Sequence, residues 1–399
     1  MARAPLGIQR LYALEINVRD AAPWLAYLAR GLGFQHVGRS TDATVEQTGT
    51  RRHLLACGGL RLVLAEAVHA GSDVRRYLEK HPEGIGRVHF VVADIRRAEQ
   101  QLLERNATLI DAVQTETITG GEWSSLAIAT PLGDVEYVFA EISGADDAVP
   151  PGMEQVAPFD PSGNPLGLSG IDHLTANTRT MMPVIAFHEH VLGFARCWDV
   201  SFHPEDIHPG VGGGLKSVAM ADETGRTRLA INEPLRPRFA ESQVQLHVDT
   251  NRGPGIQHVA LGVGDLFGAV EAARQNGVQF MATPREYYDV LPARLANQGV
   301  GNVAHNMADI RRLELLVDGD KSGYLLQSFC QDQSIQFGRP QSGPLFIELI
   351  QRCGCQRFGE GNFRALFEAA RRRDGQAPSN RQASCEAREP GSGPIRVFE

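Results

Sequence analysis

The sequence predicts an α+β protein made of four β-α-β-β-β units, paired into two open-barrel domains and followed by a C-terminal helix. Three observations lead there. Leu11 to Phe34 (LYALEINVRDAAPWLAYLARGLGF) lies on Ile171 to Phe194 (IDHLTANTRTMMPVIAFHEHVLGF) without a gap, at a constant offset of 160 residues. Asn17 then meets Asn177, Pro23 meets Pro183, and Leu32-Gly33-Phe34 meets Leu192-Gly193-Phe194, which is the mark of one supersecondary unit used twice. A second pair, Arg87 to Ile95 and His258 to Leu266, reads as an apolar strand followed by an Asp at a helix start. Finally, apolar, β-branched segments suited to strands follow the helices, among them Leu60-Arg61-Leu62-Val63-Leu64 and Val135-Glu136-Tyr137-Val138-Phe139.

Taken in order, each copy of the longer repeat opens with a short strand, continues as an amphipathic helix and ends at a Gly turn. Gly144 to Gly167 (GADDAVPPGMEQVAPFDPSGNPLG) is rich in Pro, Gly and Asp and has no periodicity, so it reads as a linker. The expected organisation is an N-terminal domain over 1–155, a second domain over 156–374 and a disordered tail over 375–399, whose composition cannot support a core. Before that tail, Asn362 is placed to cap a helix whose apolar residues Phe363, Leu366, Phe367 and Ala370 recur at helical spacing.

Composition narrows the function classes. A chain of 399 residues with net charge −8 and 22% charged residues is long enough for two cores and offers no basic face for nucleic acid. No apolar run reaches bilayer length and the first residues lack a signal-peptide core, so neither nucleic acid nor membrane is an expected partner and the expected compartment is the cytoplasm. The six cysteines, at 57, 197, 330, 353, 355 and 385, include one close pair and no second. They read as reduced thiols rather than a structural zinc site, which needs four ligands.

The most informative stretch is Leu345-Phe346-Ile347-Glu348-Leu349-Ile350, an apolar run with an acid in its middle. In a strand, Phe346, Glu348 and Ile350 share one face. A carboxylate enclosed there without a partner would cost several kcal/mol, so Glu348 needs either a metal ion or a cation such as Arg352. The repeat also separates the halves. His173 aligns with Ala13 and His258 with Arg87, and laying Gly343 on Gly133 puts Glu348 opposite Val138. The N-terminal half thus has the scaffold without the candidate ligands. His188 and His190, two apart on a helix, read as surface residues, and His247 as structural or solvated.

The runs G-P-L-F-I-E-L-I-Q-R and F-G-E-G-N-F-R-A-L-F-E, with G-I-D-H and I-Q-H-V-A upstream, resemble the signature of the 4-hydroxyphenylpyruvate dioxygenase family, and the repeated unit resembles the vicinal-oxygen-chelate architecture. The resemblance covers about residues 165 to 373. It implies an Fe(II) cofactor held by His173, His258 and Glu348, two imidazoles and a carboxylate being the facial set used for Fe(II) oxygen chemistry. It also implies a pocket in which Ser217, Asn232, Gln257, Phe329, Phe346 and Phe358 bind substrate and Gln243, Gln327, Asn362 and Phe363 serve catalysis, with the C-terminal helix as a gate. Substrates would be an aromatic 2-oxo acid and O2, products homogentisate and CO2, and the assembly a homo-oligomer. Two alternatives share these residues: a 4-hydroxymandelate synthase, which oxidises the benzylic carbon, and a non-catalytic protein binding an aromatic ligand.

Overall fold

A computed structural model of the chain describes residues 5–144, 148–204, 213–236, 239–362 and 365. Two mixed sheets organise it. The first holds β1 (Ile8–Val18), β2 (Gln35–Ser40), β3 (Thr50–Cys57), β4 (Leu60–Ala67), β5 (Gly84–Val92), β6 (Leu109–Ile118), β7 (Gly121–Ala129), β8 (Glu136–Ser143) and β9 (Met153–Gln155), in the order β6-β7-β8-β5-β1-β4-β3-β2-β9. The second holds β10 (Leu168–Asn177), β11 (Ala195–Phe202), β12 (Leu215–Ala221), β13 (Arg228–Pro234), β14 (Gly255–Val263), β15 (Leu316–Asp320), β16 (Gly323–Phe329) and β17 (Phe346–Cys353), in the order β11-β12-β13-β10-β14-β17-β16-β15. Each sheet is two β-α-β-β-β units joined by an antiparallel pair at its middle, β1 with β5 and β10 with β14. In each unit the first strand also pairs in parallel with the last. The four expected units are therefore present. The short β9, within the stretch that reads as linker, pairs with β2 and extends the first sheet.

The local chemistry repeats with the topology. Asp94 and Asp265 cap the helices after β5 and β14, accepting from Arg97 N and from the N–H groups of Phe267 and Gly268 respectively. Helices Ala21–Ala26 and Met182–Phe187 both continue into a π turn, at Tyr27–Gly31 and His188–Leu192. Gly33 and Gly193 follow at φ of 79° and 78°, a conformation that glycine adopts without steric cost. One contiguous apolar core runs from Leu6 to Ala365 and draws on both sheets.

Strand registers place the two halves on each other. In the second sheet His173 lies opposite Ala260, which lies opposite Glu348; in the first, Ala13 lies opposite His89, which lies opposite Val138. Arg87, paired with Glu15, stands where His258 pairs with Thr175. Ala13, Arg87 and Val138 thus stand in register where His173, His258 and Glu348 stand in the second sheet, the correspondence that the repeat predicts. Ion pairs fill this part of the N-terminal half instead. Arg52 forks Glu15 at 3.1 Å through two nitrogens, Arg87 donates to Glu136 at 2.8 Å, and a cavity of about 290 Å³ opens beside them. Burial would raise the Glu15 carboxyl, yet Arg52, His89 and Arg87 hold it well below its usual range.

Two expectations are corrected here. His188 is not a surface residue: it is buried, with Nδ1 against the Val184 carbonyl at 2.8 Å and Nε2 against the Tyr137 hydroxyl at 3.0 Å. It follows the buried Val184 and Ile185 by four and three residues, so ordinary helical spacing puts it on their face, whereas His190 is exposed. Asn362 is the third residue of a helical turn beginning at Glu360 rather than a cap, because its amide is engaged with interior side chains. Phe363, Leu366, Phe367, Ala370 and the tail from 375 lie outside the described residues.

Candidate metal centre

Three neighbouring strands carry the site: β10 brings His173, β14 brings His258 and β17 brings Glu348. Their ligand atoms all lie within 4.8 Å of one another. Glu348 Oε2 stands 3.3 Å from His258 Nε2 and 3.6 Å from His173 Nε2, and the acid is only 1% exposed. The alternative partner is excluded by geometry, since Arg352 is turned to Asp172, donating through Nε at 2.6 Å and Nη2 at 2.7 Å. Ala260, fully buried, sits between His173 and Glu348 in the cross-strand row and keeps the space above it clear.

Both imidazoles are oriented by a residue next to them in the chain. Strand alternation would send neighbours to opposite faces, but the β10–β14 pairing slips at Asp172 and again at Gln257. A bulge of this kind re-aims side chains. Asp172 Oδ1 consequently lies 2.8 Å from His173 Nδ1, and Gln257 Oε1 lies 3.1 Å from His258 Nδ1. With each Nδ1–H donated to an oxygen, each Nε2 is left as a lone pair facing Glu348. Burial would raise the Asp172 carboxyl, but hydrogen bonds from Arg352 and His173 hold it far below its ordinary range. Burial also lowers His258, partly offset by Glu348, so this ring is disposed to stay neutral.

The arrangement fits a divalent cation. Two neutral imidazole nitrogens and one carboxylate oxygen converge from one side, and a buried carboxylate facing two lone pairs is a poor arrangement without a positive charge between them. A set of two His and one carboxylate on one side of a metal leaves coordination positions open for ligands and oxygen.

Around it the structure places the remaining candidates. Phe346 stacks on His258 with centroids 4.8 Å apart, Phe329 meets His258 at 6.1 Å, and Phe358 meets His173 at 5.1 Å. Ser217 and Asn232 are directly paired across β12 and β13, and Asn232 donates to Asn177 at 3.0 Å. This buried polar row lies four residues beyond His173 on β10, ~13 Å along the strand. Gln327 Nε2 donates to Glu348 Oε1 at 2.8 Å, and Asn362 Nδ2 donates to Gln327 Oε1 at 2.9 Å. Gln257 belongs with His258 through its carbonyl.

Gln243 is not part of this gathering. As the first residue of helix Gln243–Thr250 it is exposed, ahead of the inward-facing Val244, Gln245, His247 and Val248. His247, by contrast, is a polar residue that sequence reasoning missed. It is 5% exposed, and neither ring nitrogen has a hydrogen-bond partner among the described residues. Burial, with His258 adding to it, pushes its pKa down to about 3. Its inward spacing with Val244 and Val248 was the available signal.

Comparison with known proteins agrees with the fold. A profile of the Glyoxalase/Bleomycin resistance protein/Dioxygenase superfamily matches residues 10–167 and 170–291. A 4-hydroxyphenylpyruvate dioxygenase of Dictyostelium discoideum is 30% identical over 365 residues, spanning 89% of this chain and 95% of that protein. One from Danio rerio is 31% identical over 336 residues, 81% of each. Among solved structures, a triply substituted 4-hydroxymandelate synthase of Streptomyces coelicolor superimposes with a TM-score of 0.76 at 25% identity, covering 92% of this chain and 99% of that one.

Proposed function

This chain is an enzyme of the 4-hydroxyphenylpyruvate dioxygenase family, within the vicinal-oxygen-chelate superfamily, and we propose that it converts 4-hydroxyphenylpyruvate and O2 into homogentisate and CO2 with Fe(II) as its metal. The observation that carries the proposal is the buried set His173, His258 and Glu348 in a chain that follows dioxygenases of this name over most of their length. Iron held there would supply oxygen activation and adjacent positions for the substrate's own 2-oxo acid, so no separate keto acid is needed.

The chain's own residues supply orientation and enclosure. Phe346, Phe329 and Phe358 border the two imidazoles and offer flat apolar surface to the substrate ring. The row Ser217, Asn232 and Asn177 provides a hydroxyl and amides for the phenol at the far end. As the resemblance implies, Phe363 would add an aromatic ring against the substrate. By the same reading the enzyme is a cytoplasmic homo-oligomer.

A second reading has a specific observation behind it: the superimposed 4-hydroxymandelate synthase covers nearly the whole fold. The two reactions differ in whether ring or benzylic carbon is oxidised, which depends on how the ring is held. Metal-free protein loaded anaerobically with Fe(II) and 4-hydroxyphenylpyruvate, then exposed to oxygen, should yield mainly homogentisate, resolved from its isomer 4-hydroxymandelate by chromatography or NMR. A rising share of 4-hydroxymandelate is expected for Phe363→Ile. Mainly 4-hydroxymandelate from the native protein would favour the second reading; no turnover despite bound iron would favour a non-catalytic binder.

A further inference from the structure

Glu348 is tied to a guanidinium through two amides. Helix Arg285–Asn297 carries Tyr287 and Arg294. Arg294 Nη2 donates to Asn362 Oδ1 at 3.1 Å, to the Tyr287 hydroxyl at 2.7 Å and to the Val317 carbonyl at 2.7 Å. The Tyr287 oxygen also receives the Val317 N–H at 2.8 Å. Its own proton is then left for an acceptor, and Asn362 Oδ1 at 2.7 Å is nearer than the Val317 carbonyl at 3.0 Å. From Asn362 the chain runs through Nδ2 to Gln327 Oε1 and from Gln327 Nε2 to Glu348 Oε1, with a longer contact from Nε2 to the Phe358 carbonyl at 3.3 Å. Tyr287, Asn362, Gln327 and Glu348 are all buried.

An amide side chain fits its space equally well either way round, so its direction is decided by whichever neighbour cannot change role. A guanidinium can only donate. It fixes the Asn362 oxygen toward itself, which turns the Asn362 N–H toward Gln327, which in turn presents an N–H to Glu348. Reversing Gln327 would put its oxygen 2.8 Å from a carboxylate oxygen, and reversing Asn362 would put its oxygen 2.9 Å from that of Gln327. In the direction observed, Glu348 Oε1 is occupied by an N–H and Oε2 is the atom left facing the two imidazoles. The segment F-G-E-G-N is shaped to allow this contact. A Cβ at Gly359, where φ is +82°, would lie 2.1 Å from Gln327 Oε1, and one at Gly361 would lie 2.3 Å from Asp318 Oδ1.

We propose that Arg294 and Tyr287 set the direction of this relay, and that Asn362 and Gln327 are positioning residues which present Oε2 of Glu348, and not Oε1, to the metal. The inference rests on the reading of His173, His258 and Glu348 as a metal site.

The test is Co(II) binding by the full-length, metal-free protein, followed through the visible absorption of the bound ion. Asn362→Asp keeps the shape and the acceptor facing Arg294 but has no N–H for Gln327, so Gln327 turns its oxygen to Glu348. Co(II) affinity should fall by about 10-fold or more, within the range typical of groups that orient metal ligands, and further than for Asn362→Ala, where the gap leaves Gln327 free. Two other accounts order the variants differently. A packing role makes Ala the worse substitution, and added negative charge alone would strengthen cation binding. Gln327→Met, which keeps the volume without the N–H, should also weaken Co(II) binding and stands in if Asn362→Asp does not fold. Tyr288→Phe, removing a neighbouring hydroxyl bonded to the Leu315 carbonyl outside the relay, should bind like the native protein. Native-like Co(II) affinity in Asn362→Asp or in Gln327→Met, or weaker binding by Asn362→Ala than by Asn362→Asp, overturns the relay. Failure of the native protein to bind Co(II) overturns the metal site itself.

Discussion

Gln257 and His258, adjacent in the chain, meet side chain to side chain, with Oε1 of the first 3.1 Å from Nδ1 of the second. Asp172 and His173 repeat the relationship at 2.8 Å, and both partners sit where the β10–β14 pairing slips. The same slips occur in the first sheet, at Tyr12 and Gly86. There no imidazole follows the bulge residues: Ala13 comes after Tyr12 and Arg87 after Gly86. The backbone device is thus common to both halves, and the side chains placed on it make one of them a candidate metal site.

Asp172 also holds Arg352, so its loss should be felt more than that of Gln257. Asp172→Asn is expected to lower metal affinity roughly 10- to 100-fold, measured by competition with a chromophoric chelator. Gln257→Leu should have a smaller effect in the same direction. Equal, native-like affinity in both would mean that the bulge partners do not orient the imidazoles.

Glu348→Ala should abolish metal binding and turnover while circular dichroism remains native-like. The variant removes an acid that is buried among groups suited to a cation and leaves a small gap in β17. Retention of one metal per chain with normal activity would show that Glu348 is not a ligand.

Ala260 tests the space between the ligands independently of their chemistry. Ala260→Leu leaves all three ligands in place but projects a branched side chain from the middle of the His173–Glu348 row. Stoichiometric metal should be lost, at a stability cost of about 1–3 kcal/mol from overpacking. Metal content by elemental analysis and a thermal melt together decide the point; full metal occupancy would place the ion elsewhere.

Acid stability should report the two buried histidines. Burial lowers His188 to about 4 and His247 to about 3, below the ~6.5 of an unfolded chain. Between those values the unfolded state binds protons that the native state does not, so stability is fully present above pH ~6.5 and is lost as pH falls toward 4. Each group contributes at most ~1.4 kcal/mol per pH unit. Denaturant melts from pH 7 to pH 4 should show this decline, and it should be shallower in His188→Gln. An unchanged slope in that variant would mean that His188 is not held neutral in the fold.

The sequence by itself determined the four units, the halves that match, and the three residues, His173, His258 and Glu348, that the fold brings together. Periodicity and repeat are local or pairwise along the chain, and an acid inside an apolar strand, as at Glu348, announces that something must neutralise it. The loss of ligands at Ala13, Arg87 and Val138 was readable for the same reason. Tertiary structure alone decided the rest. Period 2 tells which face a side chain takes only while the ladder is regular, and the bulges at Asp172 and Gln257 depend on how β10 pairs with β14. His188 shares the face of Val184 and Ile185 by ordinary helical spacing, but packing alone brings the Tyr137 hydroxyl onto its Nε2. His247 shares a helix face with Val244 and Val248, which spacing could have shown, whereas the exposure of Gln243 was decided by how that helix docks. The relay from Arg294 to Glu348 joins residues between 21 and 68 positions apart through Asn362 and Gln327. Its direction comes from a guanidinium that can only donate, and no local pattern of residues encodes that contact.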